Sequence, residues 1–62
     1  MQRIDLIVGT QAIADAIGVT ARRVRFMVSR KEIPVFRLGG SITIRRATLE
    51  SWIAGLEAAA HD

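Results

Sequence analysis

The sequence has 62 residues, a formal net charge of +3, no cysteine and no tyrosine. A chain of this length forms at most one small domain, residues 1–62, and without cysteine it holds neither a disulfide nor thiolate-bound zinc. No apolar run approaches the roughly 20 residues of a membrane span, so we expect a cytoplasmic protein. The one histidine is the penultimate residue, where chains usually fray, so we expect no enzyme. We also expect no bound metal, cofactor or small molecule.

Two short helices separated by a tight turn are predicted in the first half of the chain. Thr10 is a favourable N-cap residue and Gly18 is a natural stop, so the first helix should run from about Gln11 to Ile17. Thr20 is a second N-cap candidate, and the second helix should run from Ala21 to about Lys31.

A β-hairpin is predicted next, because apolar residues alternate with polar ones around a glycine pair. The alternating apolar residues are Phe36, Leu38, Ile42 and Ile44. A two-residue loop, Gly39-Gly40, would place the apolar residues of the two strands on opposite faces of the sheet. A three-residue loop that includes Ser41 places all four on one face, so we predict the longer loop. The outward face would then carry Val35, Arg37, Thr43 and Arg45.

A third helix is predicted from about Arg46 to Ala59, because apolar residues there repeat with helical spacing. The repeating residues are Leu49, Trp52, Ile53 and Leu56. We expect all four in the core. The elements together predict a mainly α fold with a small β-hairpin.

The first two helices meet the packing requirements of a helix-turn-helix. Ala14 is small where the second helix must cross the first, and Gly18 can take the left-handed conformation at the bend. Many unrelated helical hairpins satisfy part of this pattern. The apolar residues expected to close the space between the helices are Ile13, Ile17, Val19, Val24 and Met27.

Positive charge is concentrated in the middle of the chain. Residues 1–20 carry a net charge of −1, residues 21–46 carry +7 and residues 47–62 carry −3. Arginine outnumbers lysine eight to one, and arginine makes bidentate contacts to phosphate and to guanine. Such a segment is typical of nucleic-acid binding, and a merely solvated basic face is the alternative.

On a helical wheel, the second helix turns most of its basic residues away from the core. Arg22 and Arg23 lie in the first turn, where they oppose the helix dipole and weaken the helix. A placement that lowers stability without structural benefit indicates a function, and outward arginines in the first half of a helix suit the major groove. We predict DNA contacts for Arg22, Arg23 and Arg25. For Phe26, base contact and packing against the hairpin or another protomer both stay open.

Further candidate contacts flank this helix. Arg37 and the Gly39-Gly40-Ser41 tip would reach phosphates or the minor groove as a wing, although the turn alone explains the glycines. For Arg45 and Arg46, phosphate contact and solvated charge both stay open. Arg30 is a further outward residue of the second helix. The helix N-termini at Thr10 and Thr20 would add backbone amides aimed at phosphate.

Four stretches of the chain resemble the excisionase/MerR-like winged helix-turn-helix DNA-binding family. These are Gly18–Val24, Glu32–Pro34, Phe36–Gly40 and Ile44–Trp52, within a resemblance that covers roughly residues 8–56. The family includes phage excisionases (recombination directionality factors), small transcription regulators and the DNA-binding heads of some terminase small subunits. The resemblance implies a helix-turn-helix, a two-stranded wing and a closing helix, with the second helix in the major groove and the wing on the flanking minor groove or backbone.

The predicted DNA-binding set combines the residues that the resemblance nominates with those that charge and position nominate. The set is Thr20, Ala21, Arg22, Arg23, Arg25, Phe26, Arg30, Arg37, Gly39, Gly40, Ser41, Arg45 and Arg46. The chain departs from the family in having Lys31 where glycine is frequent and Thr48 where an acidic residue is common. It shows neither the long coiled-coil helix nor the effector domain of MerR regulators, so we expect no ligand sensing and no dimerisation by that route.

The leading hypothesis is a double-stranded DNA-binding protein of a phage or mobile element. It would be an excisionase-like architectural factor in DNA recombination or a small transcription regulator, associated with the nucleoid in the cytoplasm. Further copies on adjacent sites, or a recombinase, are the expected protein partners. The second hypothesis is the DNA-recognition domain of a phage terminase small subunit. The third is a protein-interaction module without DNA binding, against which the charge of residues 21–46 argues.

Overall fold

The computed structural model describes residues 5–60, which form three helices and one three-stranded antiparallel sheet. In chain order the elements are β1 (Leu6–Val8), α1 (Thr10–Ile17), α2 (Ala21–Ser29), β2 (Phe36–Leu38), β3 (Ser41–Arg45) and α3 (Arg46–Ala60). The predicted fold class, a mainly helical protein with a small sheet in the order of a winged helix-turn-helix, is confirmed.

The sheet contains one strand more than the sequence pattern predicts. β3 is the central strand and pairs with β2 on one side and β1 on the other. Ile7 of β1 lies opposite Ile44 of β3, and both side chains are buried in the core. The sheet therefore ties the N-terminal segment to the hairpin that follows the second helix.

The turn between β2 and β3 has two residues, so the predicted three-residue loop is wrong. Leu38 lies opposite Ser41, which leaves only Gly39 and Gly40 between the strands. Their φ angles are 57° and 88°, and positive φ at both central residues is what a type I′ turn requires. This turn matches the twist of the two strands, and that gain outweighs the burial that the longer loop would have given Phe36 and Leu38. Both side chains therefore remain exposed.

The observed register corrects the predicted faces of the hairpin. Arg37 lies opposite Ile42, which packs against the core, and residues directly opposite share a face. Val35 also packs against the core, so neither Val35 nor Arg37 lies on the outward face as predicted. Thr43 does lie on the outer face, between Val8 and Phe36, but its side chain is buried there.

The core lies between the sheet and the helices. Its buried side chains are Ile7, Ile13, Ala14, Val24, Ile33, Ile44 and Leu49. Ala14 is buried beside the second helix, as its small size predicts. Ile17 and Met27 pack at the edge of this cluster, whereas Val19, predicted to join them, is exposed.

The two helices of the helix-turn-helix have different N-caps. α1 is preceded by Gly9 (φ 94°) and has no side-chain cap, so the prediction of Thr10 as the N-cap is wrong. Gly18 ends α1 in the left-handed conformation, as predicted. At the start of α2, the Thr20 hydroxyl accepts a hydrogen bond of 3.1 Å from the backbone N–H of Arg23, which confirms Thr20 as the N-cap.

We expect Thr20→Ala to lower the free energy of unfolding by about 1 kcal/mol, because the Arg23 amide loses its acceptor. Thr10→Ala is the matched control, since the Thr10 side chain caps nothing, and its effect should stay within about 0.5 kcal/mol. Urea unfolding followed by circular dichroism measures both. Equal losses in the two variants would contradict the assignment of the cap.

α2 ends at Ser29, two residues before the predicted end, in a Schellman motif. The Lys31 N–H donates to the Val28 carbonyl (3.0 Å) and the Glu32 N–H to the Met27 carbonyl (2.9 Å). Lys31 has a φ of 58°, the only positive φ of a non-glycine residue within residues 5–60. The exit from α2 thus keeps the geometry for which glycine is preferred, although lysine occupies the position.

We expect Lys31→Gly to raise the free energy of unfolding by about 0.5 kcal/mol. The left-handed conformation costs a residue with a Cβ about 1 kcal/mol, and the larger unfolded-state entropy of glycine cancels part of the gain. Lys31→Ala removes the same charge but keeps the Cβ, so it should give no gain. The thermal unfolding midpoints of the wild-type chain and the two variants measure these effects. Equal midpoints for the glycine and alanine variants would refute the prediction.

α3 follows β3 directly, and only its first half packs on the core. Leu49 is 4% exposed and Trp52 and Ile53 pack against the core, whereas Leu56 is 51% exposed. The predicted burial is therefore confirmed for the first three residues of the stripe and wrong for Leu56. All residues from 54 to 60 are exposed, so the last turns of α3 extend beyond the core.

Candidate nucleic-acid interface

α2 presents a basic face to the solvent because its opposite face is fixed in the core. Val24 is fully buried, and Ala21, Met27 and Val28 pack against the core cluster. Ala21, a member of the predicted DNA-binding set, thus makes structural contacts at the start of α2. The exposed face carries Arg22, Arg23, Arg25, Phe26, Ser29 and Arg30.

The first turns of α2 carry a hollow of about 220 Å³ on this exposed face. Thr20, Arg22, Arg23 and Phe26 line it. Two guanidinium groups and one aromatic ring therefore border the same concave surface, close to the N-terminus of the helix. Such a surface combines donors for guanine or phosphate with an apolar contact.

A second cleft, of about 320 Å³, lies between α2 and the hairpin. Arg25 from α2 and Arg37 from β2 both line it, with Thr10 at the N-terminal end of α1 nearby. Half-buried Val28 and Ile42 are also part of its lining. Two guanidinium groups beside a helix N-terminus offer donors to an anion such as a DNA phosphate.

The sequence prediction missed this cleft because it placed Arg37 on the other face of the hairpin. The signal that would have found it is the Gly39-Gly40 pair, which alone satisfies a type I′ turn. With that turn, Arg37 falls opposite Ile42 and on the side of the sheet that faces the helices. The structure thus brings Arg25 and Arg37 to one cleft.

Arg30 is engaged by two neighbours at the end of α2. Its Nε donates to the Glu32 carboxylate at 2.8 Å, and its guanidinium carbon lies 5.3 Å from the centroid of the Phe26 ring. The ion pair is exposed and by itself contributes little stability. Together the two contacts hold Arg30 against the aromatic ring.

The other predicted contacts lie apart from these two clefts. The wing tip consists of Gly39, Gly40 and Ser41 at the exposed turn and the start of β3. Arg45 lies opposite Leu6 and so belongs to the outer face of the sheet, away from the helices. Arg46 begins α3, and its Nε lies 3.1 Å from the Asp5 carboxylate. Neither Arg45 nor Arg46 lines the hollow on α2 or the cleft between α2 and the hairpin.

Neither a metal site nor a membrane span is found in the described part of the chain. Residues 5–60 contain no group of three acidic or histidine side chains that could hold a metal ion. No helix in that range has the length and apolar character to cross a membrane. All buried side-chain nitrogen and oxygen atoms in the same range have hydrogen-bond partners. The exposed face of α2 and its cleft with the hairpin bring basic side chains together and form the candidate site.

Comparison with known proteins identifies the family. A family described as helix-turn-helix domain matches residues 8–56, which span α1, α2, the hairpin and most of α3. No curated protein and no solved structure matches the chain significantly. The matched residues contain the Thr20 cap, the arginines of α2 and the Arg25–Arg37 cleft. The chain belongs to the helix-turn-helix domain family, a family of DNA-binding domains.

Proposed function

We propose that the protein binds double-stranded DNA with α2 in the major groove and the β2–β3 hairpin as a wing on the flanking backbone or minor groove. The observation that carries this proposal is the placement of Arg25 and Arg37 in one cleft beside the basic face of α2. An α-helix with its side chains is about 10–12 Å wide and a major groove about 12 Å. A helix seated there would leave a phosphate strand between helix and wing, at the cleft that Arg25 and Arg37 line.

The predicted contacts have two roles, one toward the base edges and one toward the phosphate backbone. Arg22 and Arg23, at the start of α2, face the floor of the groove and are suited to guanine edges or the nearest phosphates. Arg25 and Arg37 are suited to the phosphate strand that separates the two grooves. Phosphate contacts of this kind fix the register of the protein and depend on salt.

The experiment that tests DNA binding is a titration of a random 30-base-pair duplex, followed by fluorescence anisotropy at several salt concentrations. We expect log affinity to fall with log salt concentration with a slope of about −3 to −6, because each neutralised phosphate contributes about −0.9. A lack of binding at the lowest salt concentration would refute the proposal. A slope near zero would show that the arginines contact no phosphates.

Among DNA-binding roles, we propose an excisionase-like architectural factor or a small transcription regulator associated with the nucleoid. One small module covers only about 600–1,000 Å² of its own surface on DNA and binds weakly alone. Several copies on adjacent repeats, or a recombinase partner, would supply the missing affinity. Footprints that grow one repeat at a time support this role, and independent binding to tandem sites counts against it. The alternative role is DNA recognition in a terminase small subunit.

One observation favours a second function, a protein contact through the outer face of the sheet. Val8, Phe36 and Leu38 are 48%, 46% and 49% exposed and lie together on that face. Apolar side chains grouped in this way are typical of interaction surfaces. Sedimentation of the wild-type and Leu38→Asp chains at high concentration tests a contact between copies. If the wild-type chain associates and the variant does not, the contact is supported. If both proteins are monomeric, the contact is contradicted.

A further inference from the structure

We propose that Phe26 recognises the C5-methyl group of a thymine in the major groove. This inference rests on the proposed DNA-binding function and deepens it, because it assigns one base feature to one side chain. Phe26 is 54% exposed, although it stands two residues from the fully buried Val24. On a helix two residues correspond to about 200° of rotation, so the ring points almost directly away from the core.

The structure shows no packing role for this ring within residues 5–60. The cleft between α2 and the hairpin is lined by Arg25, Val28 and Ser29 from the helix, and Phe26 takes no part in it. The packing of Phe26 against the hairpin, which the sequence left open, is therefore not seen. Phe26 is therefore a large aromatic side chain that stands exposed on a basic helix face and is available for contact with a partner.

The exposed ring lies beside arginine side chains. Arg30, one turn further along α2, lies over it at 5.3 Å from the ring centroid and is itself held by the Glu32 carboxylate. One turn earlier, Arg22 and Arg23 line the hollow that the ring also borders. Phe26 is thus an exposed apolar side chain with arginines beside it on the same face of α2.

The chemistry of the major groove limits what such a ring can read. Phenylalanine has no hydrogen-bond donor or acceptor, so it neither binds phosphate nor distinguishes the polar edges of the bases. In the major groove, the apolar group on a base edge is the thymine methyl group. The arginines beside the ring supply the polar contacts, and the ring adds a preference for a T·A pair in the same site.

The experiment begins with selection of a binding duplex from a random library and then replaces each thymine of that site singly with deoxyuridine. Uracil lacks only the methyl group, so hydrogen bonding at the edge is unchanged. We expect one position at which the replacement weakens wild-type binding about fourfold, the value that corresponds to one buried methyl group. Phe26→Ala should bind the thymine and uracil duplexes equally at that position.

Two further variants separate this role from a general loss of binding. Phe26→Leu keeps an apolar side chain and should retain part of the sensitivity to the methyl group. Arg23→Ala should weaken binding to both duplexes while keeping the ratio between them. Because Phe26 is exposed, its variants should fold, which thermal unfolding verifies.

Several outcomes would overturn the assignment. Selected sites without a fixed thymine, or wild-type binding that is insensitive to uracil at every position, would show that no methyl group is read, while DNA binding itself stands. A methyl effect that persists in Phe26→Ala would assign the contact to another side chain. Failure of every duplex to bind at low salt would instead refute the proposed function, and the Phe26 assignment with it.

Discussion

Replacing Arg22, Arg23 and Arg25 together with alanine should weaken DNA binding about 100- to 1,000-fold at physiological salt. The three side chains lie on the exposed face of α2. Arg22 and Arg23 line the hollow on α2, and Arg25 lines the cleft between α2 and the hairpin. Each lost contact to a base edge costs about 1–3 kcal/mol, and each lost phosphate contact reduces the salt slope by about 0.9. Anisotropy titrations at several salt concentrations measure both effects.

The same variant should be at least as stable as the wild-type chain. Arg22 and Arg23 stand in the first turn of α2, which contains no acidic residue, at the positive end of the helix dipole. Alanine removes that repulsion and is the better helix former, so we expect a gain of about 0.3–1 kcal/mol. Weak binding by a chain with an unchanged or higher thermal midpoint cannot be attributed to unfolding.

A matched control removes two adjacent arginines elsewhere. Arg45 lies on the outer face of the sheet and Arg46 pairs with Asp5, so Arg45→Ala/Arg46→Ala should reduce affinity less than about tenfold. Arg22→Ala/Arg23→Ala makes the same change in charge on α2. Equal losses from the two pairs would show general attraction between opposite charges and would contradict an interface centred on α2.

Leu49→Ala should destabilise the protein strongly, whereas Leu56→Ala should leave its stability almost unchanged. The two leucines stand on the same face of α3, two turns apart, but Leu49 is 4% and Leu56 is 51% exposed. Truncation of a buried leucine costs about 2–5 kcal/mol. A domain of this size has a total stability of only about 3–9 kcal/mol, so the loss is a large part of it.

The exposed leucine provides the internal control for this prediction. Leu56→Ala loses little burial and gains helix propensity, so its free energy of unfolding should stay within about 0.5 kcal/mol of the wild-type value. Thermal and urea unfolding of the two variants, followed by circular dichroism, give the comparison. Similar losses would mean that the end of α3 is packed, contrary to the structure. Leu56→Ala should also bind DNA as the wild-type chain does.

The helices could be predicted from the sequence because their signals are local. Gly18 and Thr20 mark the ends of α1 and α2 by their own backbone and side-chain chemistry. The burial of Leu56 was predicted wrongly because a periodic stripe shows which face of a helix is apolar but not where the core ends. The strand β1 was missed because three apolar residues show no alternation, and its pairing partner is distant in sequence.

The candidate site was predictable where it depends on one helix and not where it depends on register. The basic face of α2 follows from the helical period, given that Val24 is buried. The Arg25–Arg37 cleft depends on whether the hairpin loop has two residues or three, because a shift of one residue moves every side chain of a strand to the other face. Burial of Phe36 favours a three-residue loop, whereas the geometry of the glycine turn favours two residues. The structure has the two-residue turn.

The pairing of β1 with β3 also joins two segments that are far apart in the sequence. Ile7 and Ile44 are separated in the sequence by α1, α2 and β2, so their contact closes a long loop. Contacts between distant segments of a chain form slowly, because a long loop must close first. Until β1 pairs, one edge of β3 presents unpaired backbone groups, and an exposed edge of this kind favours strand exchange between neighbouring chains.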